Sequence, residues 1–257
     1  MAKPSISTQI TIDSTNKYLD VTSGAGGDET VTLTEQDYDD MVALCSAIQT
    51  GLQALGGTWA SATCAVSYTT TPVGKVVIDS QQAGDTCGLE WATGTNAANT
   101  VGDILGFDTS ADDTGAYSYT SDYQHQYGWY ATRAPVRYSK EDPIQIGGDL
   151  RIPLSGKSAK IVHVGYQHRY KVELALILPE CMYSDEATDS NTNRDLETEW
   201  QRMAQGQWFR WREDQTVEGT STDFYLIEPR DWGRAVTRPH IDYEAYNIAM
   251  TFSKKES

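Results

Sequence analysis

The sequence predicts an α+β protein, mainly β, with an N-terminal β/α module over residues 1–122 and a β-sandwich or barrel over 123–257 that carries one flanking helix. Three observations predict it. Short alternating segments rich in Thr, Val and Tyr recur between Gly, Pro and Asp turns along the whole chain. Only two longer stretches keep helical spacing. A polar, tyrosine-rich stretch without period, residues 110–128, separates two halves of different charge and reads as a connecting loop.

In order along the chain, "STQITI" and "KYLDV" read as short strands. "ETVTL" sets Val31 and Leu33 on one face against Thr30, Thr32 and Thr34 on the other. A helix follows. Thr34 and Asp37 have capping-box spacing, Tyr38, Met41, Val42, Cys45, Ile48, Leu52 and Leu55 keep the helical period, and Gly56-Gly57 ends the element. "CAVSY", "KVVID" and "GLEWA" are three further strands, separated by hairpin punctuation at Pro72-Val73-Gly74 and Ala83-Gly84-Asp85.

The run "GTNAANTVGDILGFDT", residues 94–109, then combines a turn with one short helix. Asn99 or Thr100 is placed to cap it, Val101, Ile104 and Leu105 share a face, and Gly106 closes it. This reads as a turn and a plug for the module, not a reaction centre. In the second half "HRYKVELALIL" alternates over a long strand. Leu196, Trp200 and Met203 mark a second helix ended by Gly206, "QWFRWR" and "DFYLIEP" are strands, and Tyr246, Ile248, Met250 and Phe252 define a closing strand.

The net charge of −16 argues against a nucleic-acid binder, because phosphate neutralisation needs a basic face. Acids dominate the first half: residues 1–130 carry Lys3, Lys17 and Lys75 against 16 acids, and 131–257 carry 17 basic against 20 acidic groups. An acidic surface facing a polyanion and plain solubility both account for this. "MAKPSISTQITI" lacks the apolar stretch of a secretory signal, and "LALIL" is too short to cross a bilayer, so a soluble chain without membrane insertion is expected. Cys45, Cys64, Cys87 and Cys181 have no C-x-x-C spacing. Buried free thiols are expected, with a Cys64–Cys87 bridge as the alternative.

Each catalytic or metal motif fails on its surroundings. Asp113-Thr114-Gly115 matches the aspartic-protease tripeptide, but polar Ser110-Ala111-Asp112 precedes it where an apolar strand is needed. Asp108, Asp112, Asp113 and Asp122 have the oxygens a calcium ion wants, without EF-hand spacing. Gly156-Lys157-Ser158 ends like a phosphate loop, yet Arg151 stands where its first glycine belongs and Pro153 interrupts it. His163 and His168, five apart on a strand, face opposite ways, and with His125 and His240 they form no recognisable triad. No cofactor, metal ligand or catalytic residue is therefore assigned. The aromatic group Trp200, Trp208, Phe209, Trp211, Phe224, Tyr225 and Trp232 reads as core or protein interface, with a sugar platform as the alternative.

The run "LEWATGTNAANTVGDILGFDTSADDTGAYSYTSD", residues 89–122, resembles a module of structural proteins in tailed-phage particles, with its tryptophan strand, Gly-Thr-Asn turn and Leu-Gly-Phe-Asp segment. The second half is similar, through Gly206, Trp208, Phe209 and Trp211, to the tail-tube-like fold of distal-tail and baseplate proteins of long-tailed phages. That resemblance implies a non-enzymatic virion component, assembled in the host cytoplasm. Copies of it would form a ring, usually a hexamer, beside other tail and baseplate proteins, with DNA passing through unbound. Trp208, Phe209, Trp211 and Trp232 are then the candidate subunit contacts. A receptor- or carbohydrate-binding accessory protein is the alternative.

Overall fold

The computed structural model describes residues 5–24, 27–67, 74–84, 86–130, 137–140, 144–146, 149–151, 160–162, 167–177, 196–212, 225–227, 233–240 and 243–254. The protein is mainly β with few helices. Its sheets are open, and among the described residues none closes into a barrel, which corrects the barrel alternative. Two compact units divide the chain: Met1–Ala134 with Glu180–Thr220, and Pro135–Pro179 with Ser221–Ser257.

In the first unit "STQITI" is two strands. β1 (Ser5–Thr8) lies antiparallel between β11 (Gly128–Tyr130) and β17 (Phe209–Arg212), so Ile6 is flanked by Trp129 on one side and Trp211 on the other. At Gln9 the chain leaves that sheet: its N–H donates to the Trp208 carbonyl at 3.3 Å, and its Oε1 accepts from the Trp208 N–H at 3.2 Å. β2 (Ile10–Ile12) then pairs β5 (Gln36–Tyr38).

A four-stranded sheet has the order β4 (Asp28–Thr32), β3 (Tyr18–Thr22), β8 (Cys87–Leu89), β9 (Asp113–Ala116). A three-stranded sheet has the order β10 (Ser118–Thr120), β7 (Val76–Asp79), β6 (Thr63–Val66). β6 and β7 pair antiparallel as expected. The turn at 83–84 does not make a second hairpin, because β8 pairs β3 and β9 and so belongs to the other sheet. Residues 110–128 are likewise not a plain connector: β9 and β10 lie there, with the Tyr119 ring buried and its hydroxyl donating to the Cys87 carbonyl at 2.7 Å.

Helix α1 (Met41–Leu55) packs on β4 and β6 and joins the two sheets into one core. Leu44, Ile48 and Leu52 are fully buried, each contributing about 1.5–3 kcal/mol relative to exposure. The helix starts later than the capping box predicted. Asp37 is in β5, where its Oδ1 accepts from Thr11 Oγ1 at 2.7 Å, and Asp40 is the N-cap, with Oδ1 accepting from the Ala43 N–H at 2.9 Å. Gly56 and Gly57, both at positive φ, end it as expected.

The second unit centres on two long antiparallel strands, β16 (Gln167–Ile177) and β20 (Tyr243–Lys254). β12 (Arg137–Lys140) and β13 (Ile144–Ile146) share the flank of β16 end to end. β18 (Tyr225–Ile227) and β19 (Gly233–His240) share the flank of β20 in the same way. The long strand and the closing strand were both expected; β12, β13 and β19 were not. β14 (Asp149–Arg151) and β15 (Lys160–Val162) form a separate antiparallel pair.

Candidate functional site

The loop of residues 94–109 is built around Asp20, a buried carboxylate on β3. Its Oδ1 accepts from Thr30 Oγ1 at 2.6 Å and Asn96 Nδ2 at 3.0 Å, and its Oδ2 accepts from the Asn96 N–H at 2.6 Å. Gly94 passes so close that a Cβ there would stand 2.6 Å from Asp20 Oδ2. From this clamp the chain bridges to β3, with the Val101 N–H donating to the Tyr18 carbonyl at 2.9 Å.

Helix α2 (Gly102–Leu105) follows, and the Thr100 hydroxyl accepts from the Gly102 N–H at 3.2 Å. Val101, Ile104, Leu105 and Phe107 are buried, and the Phe107 ring lies 4.9 Å from that of Trp91, centroid to centroid. Gly106 closes the turn in the left-handed conformation, its N–H shared between the Gly102 and Asp103 carbonyls. The loop is thus a plug in the core, as its sequence predicts.

The surrounding acids are held apart by different donors. Asp112 accepts from the Ala92 N–H at 2.7 Å and from both the N–H and hydroxyl of Thr93. Asp113 accepts from Trp91 Nε1 at 2.9 Å, and Asp122 from the Asp108 N–H at 2.8 Å. Among the described residues no three His, Cys, Asp or Glu side chains converge as metal ligands. Burial pushes the Asp113 carboxyl above its ordinary value against the Trp91 hydrogen bond, with Asp122, Asp108 and Asp112 adding repulsion. For Asp112 burial works in the same upward direction, yet the Thr93 and Ala92 donors outweigh it and hold the carboxyl low. Glu90 is pushed up, first by burial and then by Asp28, Asp112 and Asp20.

The aromatic strand is anchored onto the N-terminal module. Helix α3 (Leu196–Ala204) turns Leu196 and Met203 inward and is followed by Gly206 at positive φ. Glu199, fully buried, accepts from Thr8 Oγ1 at 2.5 Å and is paired with Arg202. Arg202 also donates to the Gln126 carbonyl at 2.8 Å and stacks on the Tyr127 ring. One element on, Arg210 pairs with Asp40 at 2.5 Å, so the carboxylate that caps α1 also receives β17. No sequence signal marks the Arg210–Asp40 pair, whose partners are distant in the chain, whereas Glu199 and Arg202 have the i,i+3 helix spacing of an ordinary surface pair that does not announce its burial.

Of the candidate contact residues, Phe209 is 0 % exposed and Trp211 8 %, both buried within the chain itself, while Trp208 is half-buried. Trp232 lies outside the described residues, as do His163, Cys181 and Gly156-Lys157-Ser158. Cys45, Cys64 and Cys87 are free and buried, so Cys64 and Cys87 are not bridged.

No family model matches the chain, and no curated protein matches it.

Proposed function

We propose that the chain is a non-enzymatic structural subunit of a long-tailed phage tail, a distal-tail or baseplate ring protein with a tail-tube-like second half. It would encircle the DNA channel and connect tail tube to tail tip. The observation that carries this reading is the open sheet on β16 and β20: with β12 and β13 along one side and β19 along the other, its edges fall on these short outer strands, which neighbouring copies can pair, and ring closure removes exposed edges. The excess of acidic residues, a net charge of −16, fits it too. An acidic bore would let DNA slide, where a basic one would hold it through counterion release.

Phe209 and Trp211 serve the subunit's own packing, so contact between copies falls to Trp208 and the sheet flanks. That burial also weighs against a sugar platform built from the same aromatics. Native mass measurement with negative-stain imaging tests the proposal. Rings, sixfold by the family resemblance, are expected, and Trp208→Ala should weaken them without lowering the melting temperature. A strictly monomeric chain at tens of micromolar, or glycan binding lost in Trp208→Ala with assembly unchanged, would overturn it.

A further inference from the structure

Helix α1 and strand β6 are tied along one line of side chains. Gln49 Oε1 accepts from the Cys64 N–H at 3.3 Å, and one turn later Gln53 Nε2 donates to the Ala62 carbonyl at 2.8 Å. One turn before Gln49, on the same helical stripe, stands Cys45. Cys45 and Cys64 are 2 % and 5 % exposed and belong to one core cluster, and with α1 packed on β6 the Gln49 bond holds Cys64 within about one helical turn of Cys45. Cys87 is engaged elsewhere: it sits on β8 in the other sheet, where its Sγ meets the Ala116 carbonyl at 3.3 Å.

We propose that Cys45 and Cys64 are a cross-linking pair, a modification site at which a small-molecule disulfide such as oxidised glutathione joins α1 to β6. The thiolate of one cysteine attacks the reagent, forming a mixed disulfide and releasing one reagent thiol. The second thiolate then attacks the protein sulfur of that mixed disulfide and releases the other. Two cysteine protons end on two reagent thiols, and two electrons pass from the protein to the reagent.

The closed core protects the pair. Contact with Cys64, burial, and the charge of Asp40 push the Cys45 thiol well above its ordinary range, so little thiolate forms while α1 is docked. Cross-linking therefore belongs to moments when α1 lifts from β6, during folding or local opening, and it is independent of ring assembly.

The test treats the full chain with oxidised glutathione, once in native buffer and once in urea just sufficient to loosen the first unit. Free thiols are then alkylated, and a chymotryptic digest, which cuts after Trp59 between the two cysteines, is mapped without reduction. The expected product in urea is a linked Cys45–Cys64 peptide pair, about 2 Da lighter than its reduced parts, with slower formation in native buffer. After urea removal the cross-linked chain should melt several degrees higher than the reduced one, reversibly with dithiothreitol. A Cys87→Ser/Cys181→Ser variant should give the same pair. Linkage of Cys64 to Cys87 or Cys181, stable glutathione adducts on both cysteines, or no linkage at all would overturn the proposal.

Discussion

Asp20→Asn keeps the side chain's shape and exchanges one carboxylate oxygen for an amide NH2. In the native protein all three partners of Asp20 are donors: the Thr30 hydroxyl, the Asn96 side-chain amide and the Asn96 backbone N–H. Whichever way the new amide turns, its NH2 meets a donor. The orientation that survives keeps oxygen on the Asn96 backbone, which cannot turn away, and makes Thr30 and the Asn96 amide rearrange. Hydrogen bonds to a charged acceptor contribute about 1.5–3 kcal/mol each and neutral ones about 1 kcal/mol, so losing the charge and one partner costs roughly 2–3 kcal/mol. For a chain of this size that lowers the melting temperature by about 5–10 °C. Thermal and urea unfolding of Asp20→Asn, Asn96→Ala and the double variant read the effect. The double variant should lose clearly less than the sum, because the two residues share one interaction. A melting shift under about 2 °C, or strict additivity, would refute the loop's role as a clamp.

Two further outcomes follow from the same region. Glu90 has its folded pKa raised by burial and by Asp28, Asp112 and Asp20, so its contribution to stability is fully present below the ordinary value of 4.5 and lost as pH rises through the folded value. Glu90→Gln should therefore melt higher than the parent at pH 7, the gain shrinking toward pH 4; an equal gain at both pH values would refute the electrostatic cause. Gly106→Ala combines a φ of +90° with a Cβ 2.5 Å from the Tyr123 carbonyl and 2.7 Å from that of Gln124. A loss of more than about 2 kcal/mol in urea unfolding is expected, and a loss below 1 kcal/mol would show that the turn relaxes freely.

Elements whose signals are local were legible in the sequence. The alternation of β4, the period of α1 with its paired glycines, the plug of α2 closed by Gly106, and the long strands β16 and β20 each depend on neighbours a few residues away. What escaped was set at long range. Gln9 splits an apparently continuous strand because Trp208 approaches it, and Asp40 takes the cap from Thr34 because Thr11 occupies Asp37 and Arg210 requires a buried partner. Residues 110–128 lack a period because β9 and β10 are short and leave most of their side chains partly or fully exposed, which gives the same polar pattern as a loop. Glu199 drew no reading from the sequence, because its partner Thr8 is 191 residues away.

The placement of β1 between β11 and β17 sets a schedule for synthesis. Its first neighbour is made after about 120 further residues and its second only after about 200, so at ribosomal speeds of roughly 5–20 residues per second Ser5–Thr8 waits on the order of ten to forty seconds for full pairing. During that interval the nascent chain carries an apolar Ile6 that nothing yet covers on its far side, and a factor able to shield such a segment would have its longest opportunity there.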